Sequence, residues 1–338
     1  MVSEIQDLFR TVGPKTVTAA AKAKILKRPT PLQIVFEVTH LCNLACEYCD
    51  RHTPLPNELE LGEIVQIVRE FVGLGMIGMT LDGGDPLVRL DIDKIIDELA
   101  RLGVRIVINT NGILIPKKLE SVKKAALVNV SLDGPERYHD SMRGDGSFEK
   151  AVRGIRAARE AGVAVKLRCT VHRENMAAVP DLVRLAENLD SPIMFQPALN
   201  SLFLDTARDG SRWELDAAEF RKSVLWLCEQ KKHTKYIANH YASLKHFLSF
   251  PAFKEPPCSA GWIHATLDAE GYLYHCGQVN RASQKISVRE FGAKKAFEKI
   301  ARYSCGECWC ASLLETNYIW GMALGKFTPF GIERAASG

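Results

Sequence analysis

No run in this 338-residue sequence approaches the roughly 18 uncharged apolar residues that a membrane-spanning helix needs. The first ten residues carry Glu4 and Asp7 and lead into no apolar stretch, so they do not read as a secretory signal. The expectation is a protein of the reducing cytoplasm, where structural disulfides are rare. An excess of one charge is lacking too: Lys+Arg 44 against Asp+Glu 40 leaves +4, too little to mark a nucleic-acid binder. Internal repeats and low-complexity tracts are absent. What is present, 46% hydrophobic and 25% charged residues, is ordinary globular usage and excludes a disordered or fibrous chain. The length allows two domains, or one large domain with an appendage.

Ten cysteines are the informative residues, because they cluster. Cys42, Cys46 and Cys49 fall within eight residues, and five more lie between Cys258 and Cys310. Only Cys169 and Cys228 stand apart, and both read as small buried hydrophobes. In a reduced chain such grouping reads as metal binding rather than cross-linking.

From about residue 32 to 200, short β-branched runs alternate with amphipathic helical runs. Strands are expected at 33–38, 78–81, 104–109, 127–132, 164–171 and 193–196. Helical faces are formed by Leu61, Ile64, Val65 and Val68, by Ile92, Ile95, Ile96 and Leu99, and by Leu182, Leu185, Ala186 and Leu189. Asp91 is the expected cap of the second helix and Gly103 its stop. Six strand–helix units in succession argue for an α/β fold with right-handed crossovers, either a partial barrel or a doubly wound sheet. Beyond a further helix marked by Phe220, Val224, Leu227 and Cys228, two short strands at 263–268 and 272–276 flank Ala269-Glu270-Gly271, a hairpin signal. The expected division is a basic helical segment at 1–31, the barrel at 32–235 and a small cysteine-bearing appendage at 236–338. Lys15, Lys22, Lys24, Lys27 and Arg28 make the first segment either a solvated helix beside the barrel or a contact with a membrane surface.

Cys42-Asn-Leu-Ala-Cys46-Glu-Tyr-Cys49 follows directly on the first strand. Three thiolates hold three irons of a cubane cluster and leave the fourth open, and an open position is what a catalytic metal site requires. The C-x3-C-x2-C spacing resembles the signature of the radical S-adenosylmethionine (SAM) enzymes. Gly83-Gly84-Asp85-Pro86 resembles their Gly-Gly-Glu-Pro motif, one methylene shorter at the acid. Asn109-Thr110-Asn111-Gly112, Ser131-Leu132-Asp133-Gly134 and the stretch with His139-Asp140, Arg143-Gly144 and Gly146-Ser147-Phe148 follow in the expected order. The resemblance covers residues 32–200. It implies a partial (β/α)6 barrel, a [4Fe-4S] cluster on Cys42, Cys46 and Cys49, and reductive cleavage of SAM to a 5′-deoxyadenosyl radical that takes hydrogen from a substrate. It further implies SAM contacts by Tyr48, Gly83, Gly84, Asp85, Asn111 and Ser131, and a flavodoxin or ferredoxin as reductant. Arg168 faces either the SAM carboxylate or a structural partner. His40 and His52 flank the cysteine loop and read as loop packing.

Cys258 and Cys276 stand 18 apart and precede Cys305-Gly-Glu-Cys308-Trp-Cys310. This resembles the twitch form of the SPASM appendage, which implies an auxiliary [4Fe-4S] cluster on Cys258, Cys276, Cys305 and Cys308; a four-cysteine zinc site is the alternative the spacing permits. Cys310 is left over, and its thiol is the candidate hydrogen donor to a product radical, unless it replaces one of the four ligands. The segment before the first strand is too short for a leader-peptide module with its own core, which weakens a peptide-maturase reading without removing it, since such a module can be a separate leader-binding partner. The twitch-like spacing resembles that of members acting on small molecules, which implies a carbohydrate-like substrate (aminocyclitol, sugar or nucleotide sugar), with oxidation, epimerisation or C–C bond formation as outcome. A peptide maturase and a non-catalytic zinc or iron–sulfur protein are the rival readings.

Overall fold

The computed structural model describes residues 29–323 except Tyr48, Asp50, 199–212, 253–257, 278–284 and 301–307, with the backbone alone at 319–323. The basic segment at 1–28, Tyr48 and Cys305 therefore lie outside the described residues. The strands are β1 (Gln33–Thr39), β2 (Gly78–Gly83), β3 (Arg105–Thr110), β4 (Leu127–Ser131), β5 (Val165–Val171), β6 (Ile193–Pro197), β7 (His264–Leu267), β8 (Tyr272–Tyr274) and β9 (Ile286–Ser287). The helices are α1 (Leu61–Gly73), α2 (Ile92–Arg101), α3 (Leu119–Val122), α4 (Glu136–Arg143), α5 (Ser147–Glu160), α6 (Val179–Asn188), α7 (Ala217–Gln230), α8 (Tyr241–Phe247), α9 (Val288–Lys299) and α10 (Ala311–Ala323).

One sheet runs β6-β5-β4-β3-β2-β1-β7-β8-β9. Neighbours from β6 to β1 pair parallel in sequence order, which is the partial barrel and not the doubly wound arrangement. β7 pairs parallel with β1, and β8 and β9 continue antiparallel, so the hairpin extends the barrel sheet across its first strand. Among the described residues no helix is long and apolar enough to cross a membrane.

A strand covered on both faces usually reads as continuously apolar; these strands do not. On β5, Val165, Leu167, Cys169 and Val171 are buried in the core shared with the helices, while Lys166, Arg168 and Thr170 alternate with them on the inner face. Ile34, Phe36 and Val38 of β1 and Met79 and Leu81 of β2 join the same outer core, against Ile64, Ile67, Val68 and Phe71 of α1. The apolar layer thus lies between sheet and helices, and the inner face is free to carry polar chemistry. Cys169 belongs to that core and sits mid-strand, whereas Cys228 is only half-buried on α7. Gly103 follows α2 with φ +70°, the left-handed turn its sequence position announces. Asp91 does not cap α2 with its side chain. Its carboxylate holds Arg89 (2.6 Å), whose remaining N–H groups donate to the carbonyls of Val38 and Leu59, both at 2.7 Å.

Candidate active site

The cysteine loop leaves β1 and is fastened by one carboxylate the sequence pattern did not single out. Glu58 Oε1 accepts from the Thr39 hydroxyl (3.1 Å), His40 N (2.8 Å) and Leu55 N (3.1 Å), closing both ends of the loop on a single oxygen. A second tie runs from Arg51 to Glu37 on β1 at 2.6 Å, with His40 Nε2 3.3 Å from the same carboxylate. His40 therefore packs as expected, while His52 is exposed. Within the loop, Cys49 N donates to Cys46 O at 3.0 Å.

The glycine pair of β2 meets this loop at close quarters. Gly84 N donates to Thr39 O (2.9 Å) and Asp85 N to Leu41 O (3.0 Å). A Cβ on Gly83, whose φ is +128°, would stand 2.1 Å from Thr39 O, and one on Gly84 would stand 2.2 Å from Leu41 O. Only glycine lets the two backbones approach so closely. Asp85 is fully buried and accepts from Leu87 N (2.9 Å), the Thr110 hydroxyl (2.7 Å) and Asn111 N (2.8 Å), joining the ends of β2 and β3. Burial pushes its carboxyl up, and those hydrogen bonds oppose it. Asn111 reaches back to the loop, donating to Asn43 Oδ1 at 2.7 Å and approaching Cys42 Sγ at 3.8 Å.

The loop has the donor chemistry an iron–sulfur cluster asks for. Leu44 N points at Cys42 Sγ and Arg51 N at Cys49 Sγ, each at 3.4 Å, so backbone dipoles already face two sulfurs. Burial raises the Cys42 thiol to about 11, and charge on Asp85, Cys46 and Cys49 adds to it. Cys46 is buried and also raised, mainly by burial, against the opposing charge of Arg143. Thiols in surroundings that penalise their charge are the ones a bound cation deprotonates. Among the described residues no three His, Cys, Asp or Glu side chains are gathered closely enough to enclose a metal ion. The donor set fits a [4Fe-4S] cluster by kind and by the N–H groups aimed at it.

Beside the loop, the inner face of the barrel encloses a cavity of about 280 Å³. Asn129 donates to Asn109 (2.8 Å) and Asn109 to Asp82 (2.9 Å), a ladder of amides running across β4, β3 and β2. Burial raises the Asp82 carboxyl; Arg168, also on the cavity wall, opposes it, and Glu37 reinforces it. Gly83 and Arg168 line the cavity. Gly84, Asp85, Asn111 and Ser131 are not among its lining residues, and Ser131 stands opposite Arg168 in the β4–β5 register.

Part of the second cysteine group also reaches the cavity. α10 lies along β6, with Ala311 N donating to Gln196 Oε1 at 3.3 Å, and Cys310, Ser312, Leu313 and Thr316 line the wall. Gly277, next to half-buried Cys276, lines it as well. Cys308 is half-buried and its carbonyl accepts from His246 Nε2 at 2.9 Å; Cys258 is exposed, and the neighbouring Ser259 is bound to Asn317 of α10 through N (2.9 Å) and Oγ (2.7 Å). Cys258, Cys276 and Cys308 thus arrive on three separate segments packed around α10 and β7, while Cys310 faces the cavity.

Residues 36–186 match the Radical SAM superfamily, and that part of the chain is a radical SAM domain. Among curated proteins the chain is 31% identical over 232 residues to the AdoMet-dependent heme synthase of Nitratidesulfovibrio vulgaris, a match covering 66% of this chain and 60% of that one. It is 36% identical over 169 residues to the GTP 3′,8-cyclase of Marinobacter nauticus, covering 47% of this chain and 51% of that one. The matches therefore span about half to three fifths of these relatives' own lengths. Of solved structures, Streptococcus suis SuiB bound to S-adenosylmethionine superposes with a TM-score of 0.63 at 17% identity, over 90% of this chain and 70% of that one, a likeness of fold.

Proposed function

We propose that the chain is a radical SAM enzyme acting on a carbohydrate-like small molecule held in the barrel cavity. When bound, SAM and the cluster on Cys42, Cys46 and Cys49 would supply a 5′-deoxyadenosyl radical able to take hydrogen from a substrate carbon. The chain's own residues do the rest. The Glu58 and Arg51 ties fix the cysteine loop to the end of β1, and Glu37 and Arg51 themselves line the cavity. Arg168 offers a planar guanidinium to a SAM carboxylate. Asn109, Asn129 and Asp82 present donors and acceptors to substrate hydroxyls, and the Cys310 thiol is placed to give hydrogen to a product radical.

The observation carrying this reading is the cavity wall, where amides, hydroxyls and charged groups stand beside Val35 and Leu313, whereas a barrel interior is normally filled by branched apolar side chains. Such a wall suits a small polyhydroxylated ligand better than the flat apolar ring of a tetrapyrrole. The substrate class rests on this wall, since neither relative's name is that of a carbohydrate-modifying enzyme. An auxiliary cluster on Cys258, Cys276, Cys308 and Cys305 belongs to the same proposal, as do a flavodoxin or ferredoxin reductant and a cytoplasmic location. The test is dithionite-driven formation of 5′-deoxyadenosine by the anaerobically reconstituted protein. Wild type should form it and the Cys42/Cys46/Cys49→Ala triple variant should not; equal formation by both would sink the proposal.

A further inference from the structure

Among the described lining residues two carboxylates stand on the cavity wall, and only one of them has a cation. Glu37 and Asp82 are level with each other in the β1–β2 register, and both line the cavity. Arg51 closes on Glu37 at 2.6 Å. Asp82 has neutral partners alone: Oδ1 accepts from Gly83 N at 3.0 Å and Oδ2 from Asn109 Nδ2 at 2.9 Å. No Lys, Arg or His nitrogen of the described residues lies within 4.0 Å of either oxygen. Asp82 is half-buried rather than sealed. An ionised carboxylate accepts in roughly four lone-pair positions, so about half of its capacity is unspent.

The chemistry of this corner narrows what completes it. A carboxylate drawn out of water without a cation is costly, and Glu37 alongside adds like charge. Arg168 opposes that charge from the same wall, though not at ion-pair distance, and the reading above gives its guanidinium to the SAM carboxylate. Both Asp82 oxygens already face N–H groups, a setting for a further hydrogen-bond donor rather than for a bare metal ion. A primary ammonium brings the missing charge and several N–H donors in one group. Thr80, Asn109 and Asn129 put a hydroxyl and amides on the same wall, which suits an alcohol-rich skeleton carrying an amine.

We propose that Asp82 is a specificity-determining residue whose carboxylate receives an ammonium group of the substrate. This rests on the functional reading above and deepens it: of the carbohydrate-like substrates considered, it selects those that carry an amine, an aminocyclitol or an amino sugar. Asn109 and Asn129 keep the hydroxyls, while Asp82 takes the charge. SAM carries an amine of its own, so the shared chemistry is an ammonium, and the test separates the two sources.

The experiment uses the full-length reconstituted protein with SAM present and titrates matched probes by calorimetry. Glucosamine is compared with glucose and scyllo-inosamine with scyllo-inositol, pairs in which a hydroxyl replaces the amine. At least one amine should bind wild type about tenfold or more tighter than its neutral counterpart. Asp82→Asn, which keeps the shape and removes the charge, should abolish that preference, and Asp82→Ser serves as a second neutral variant should Asp82→Asn not fold. Asp82→Glu, which keeps the charge, should retain part of it. SAM affinity, read separately by equilibrium dialysis, should fall by less than the amine affinity in the neutral variants. Absence of amine binding, equal binding within both pairs, or a preference that survives in a folded neutral variant would overturn the proposal. Equal binding is also what a carboxyl that merely holds a proton would give. A loss of SAM affinity as large as the loss of amine affinity would assign Asp82 to SAM and overturn it too. Failure of the functional reading is separate: it shows as no 5′-deoxyadenosine from wild type.

Discussion

Asp133 shows how a single buried carboxylate can hold the rim of a barrel. It is fully buried, takes Arg143 Nε at 2.6 Å on one oxygen and Thr170 N at 3.0 Å on the other, and its own backbone N–H donates to His139 Nδ1 at 3.2 Å. Burial alone would raise this carboxyl; the Arg143 guanidinium, with His139 and the hydrogen bonds, outweighs it and holds the pKa below the ordinary value. Removing one partner of such a pair leaves an uncompensated charge indoors, so Arg143→Ala should lower the unfolding free energy by about 3–5 kcal/mol in anaerobic denaturant titrations. A loss below about 1 kcal/mol would mean the pair behaves like a surface one. His139 and His264 give the pH dependence. Both are buried and held at about 4, below the ordinary value of 6.5, so between these limits the unfolded chain binds protons that the folded chain refuses. Their contribution is whole above pH 6.5 and declines as pH falls toward 4, by about 1.4 kcal/mol per unit for each histidine. Between pH 7 and pH 5, wild type should lose about 2 kcal/mol more stability than His264→Gln, since only the span below pH 6.5 contributes; equal losses would contradict the assignment.

Among the elements, the loop after β1 and the start of the turn after β2 are interdependent. Each glycine of the pair lies in van der Waals reach of the loop's carbonyls, so the cysteines are located by a backbone contact that no side chain can imitate. Gly84→Ala should push the loop outward, at a cost of about 1–3 kcal/mol in stability, and lower the iron retained after reconstitution. Iron content equal to wild type would show that the loop can give. Element positions themselves were legible: all six barrel strands fall within two residues of where β-branched runs placed them, because their outward faces are apolar at period two. The N-cap at Asp91 was not legible, because a carboxylate two residues from an arginine has a stronger partner than a backbone N–H. Glu58 was invisible for a related reason. Its three partners are local to the loop but follow no helical or strand period. Asp140, seen in the sequence only as part of a motif, accepts from Gly146 N (2.7 Å) and Phe148 N (2.8 Å) and secures the entry to α5.

At the scale of the molecule, the barrel cavity lies between two cysteine groups. The sequence announced both groups through spacing, and it announced the barrel through strand–helix alternation. It did not announce that β7 would pair with β1, a contact more than 220 residues apart, nor that α10 would bring Cys310 to the cavity wall. Those are long-range packing outcomes with no local pattern to mark them. The arrangement predicts separable sites: Cys258→Ala should lose about four irons while the first site keeps its own. The most direct measurement is therefore the anaerobic iron, sulfide and zinc content of wild type, Cys258→Ala and the Cys42/Cys46/Cys49→Ala triple variant. About eight irons are expected in wild type and about four in each variant, with matching sulfide and no zinc. Four irons in wild type with one zinc in their place, or iron that survives the triple variant undiminished, would contradict it.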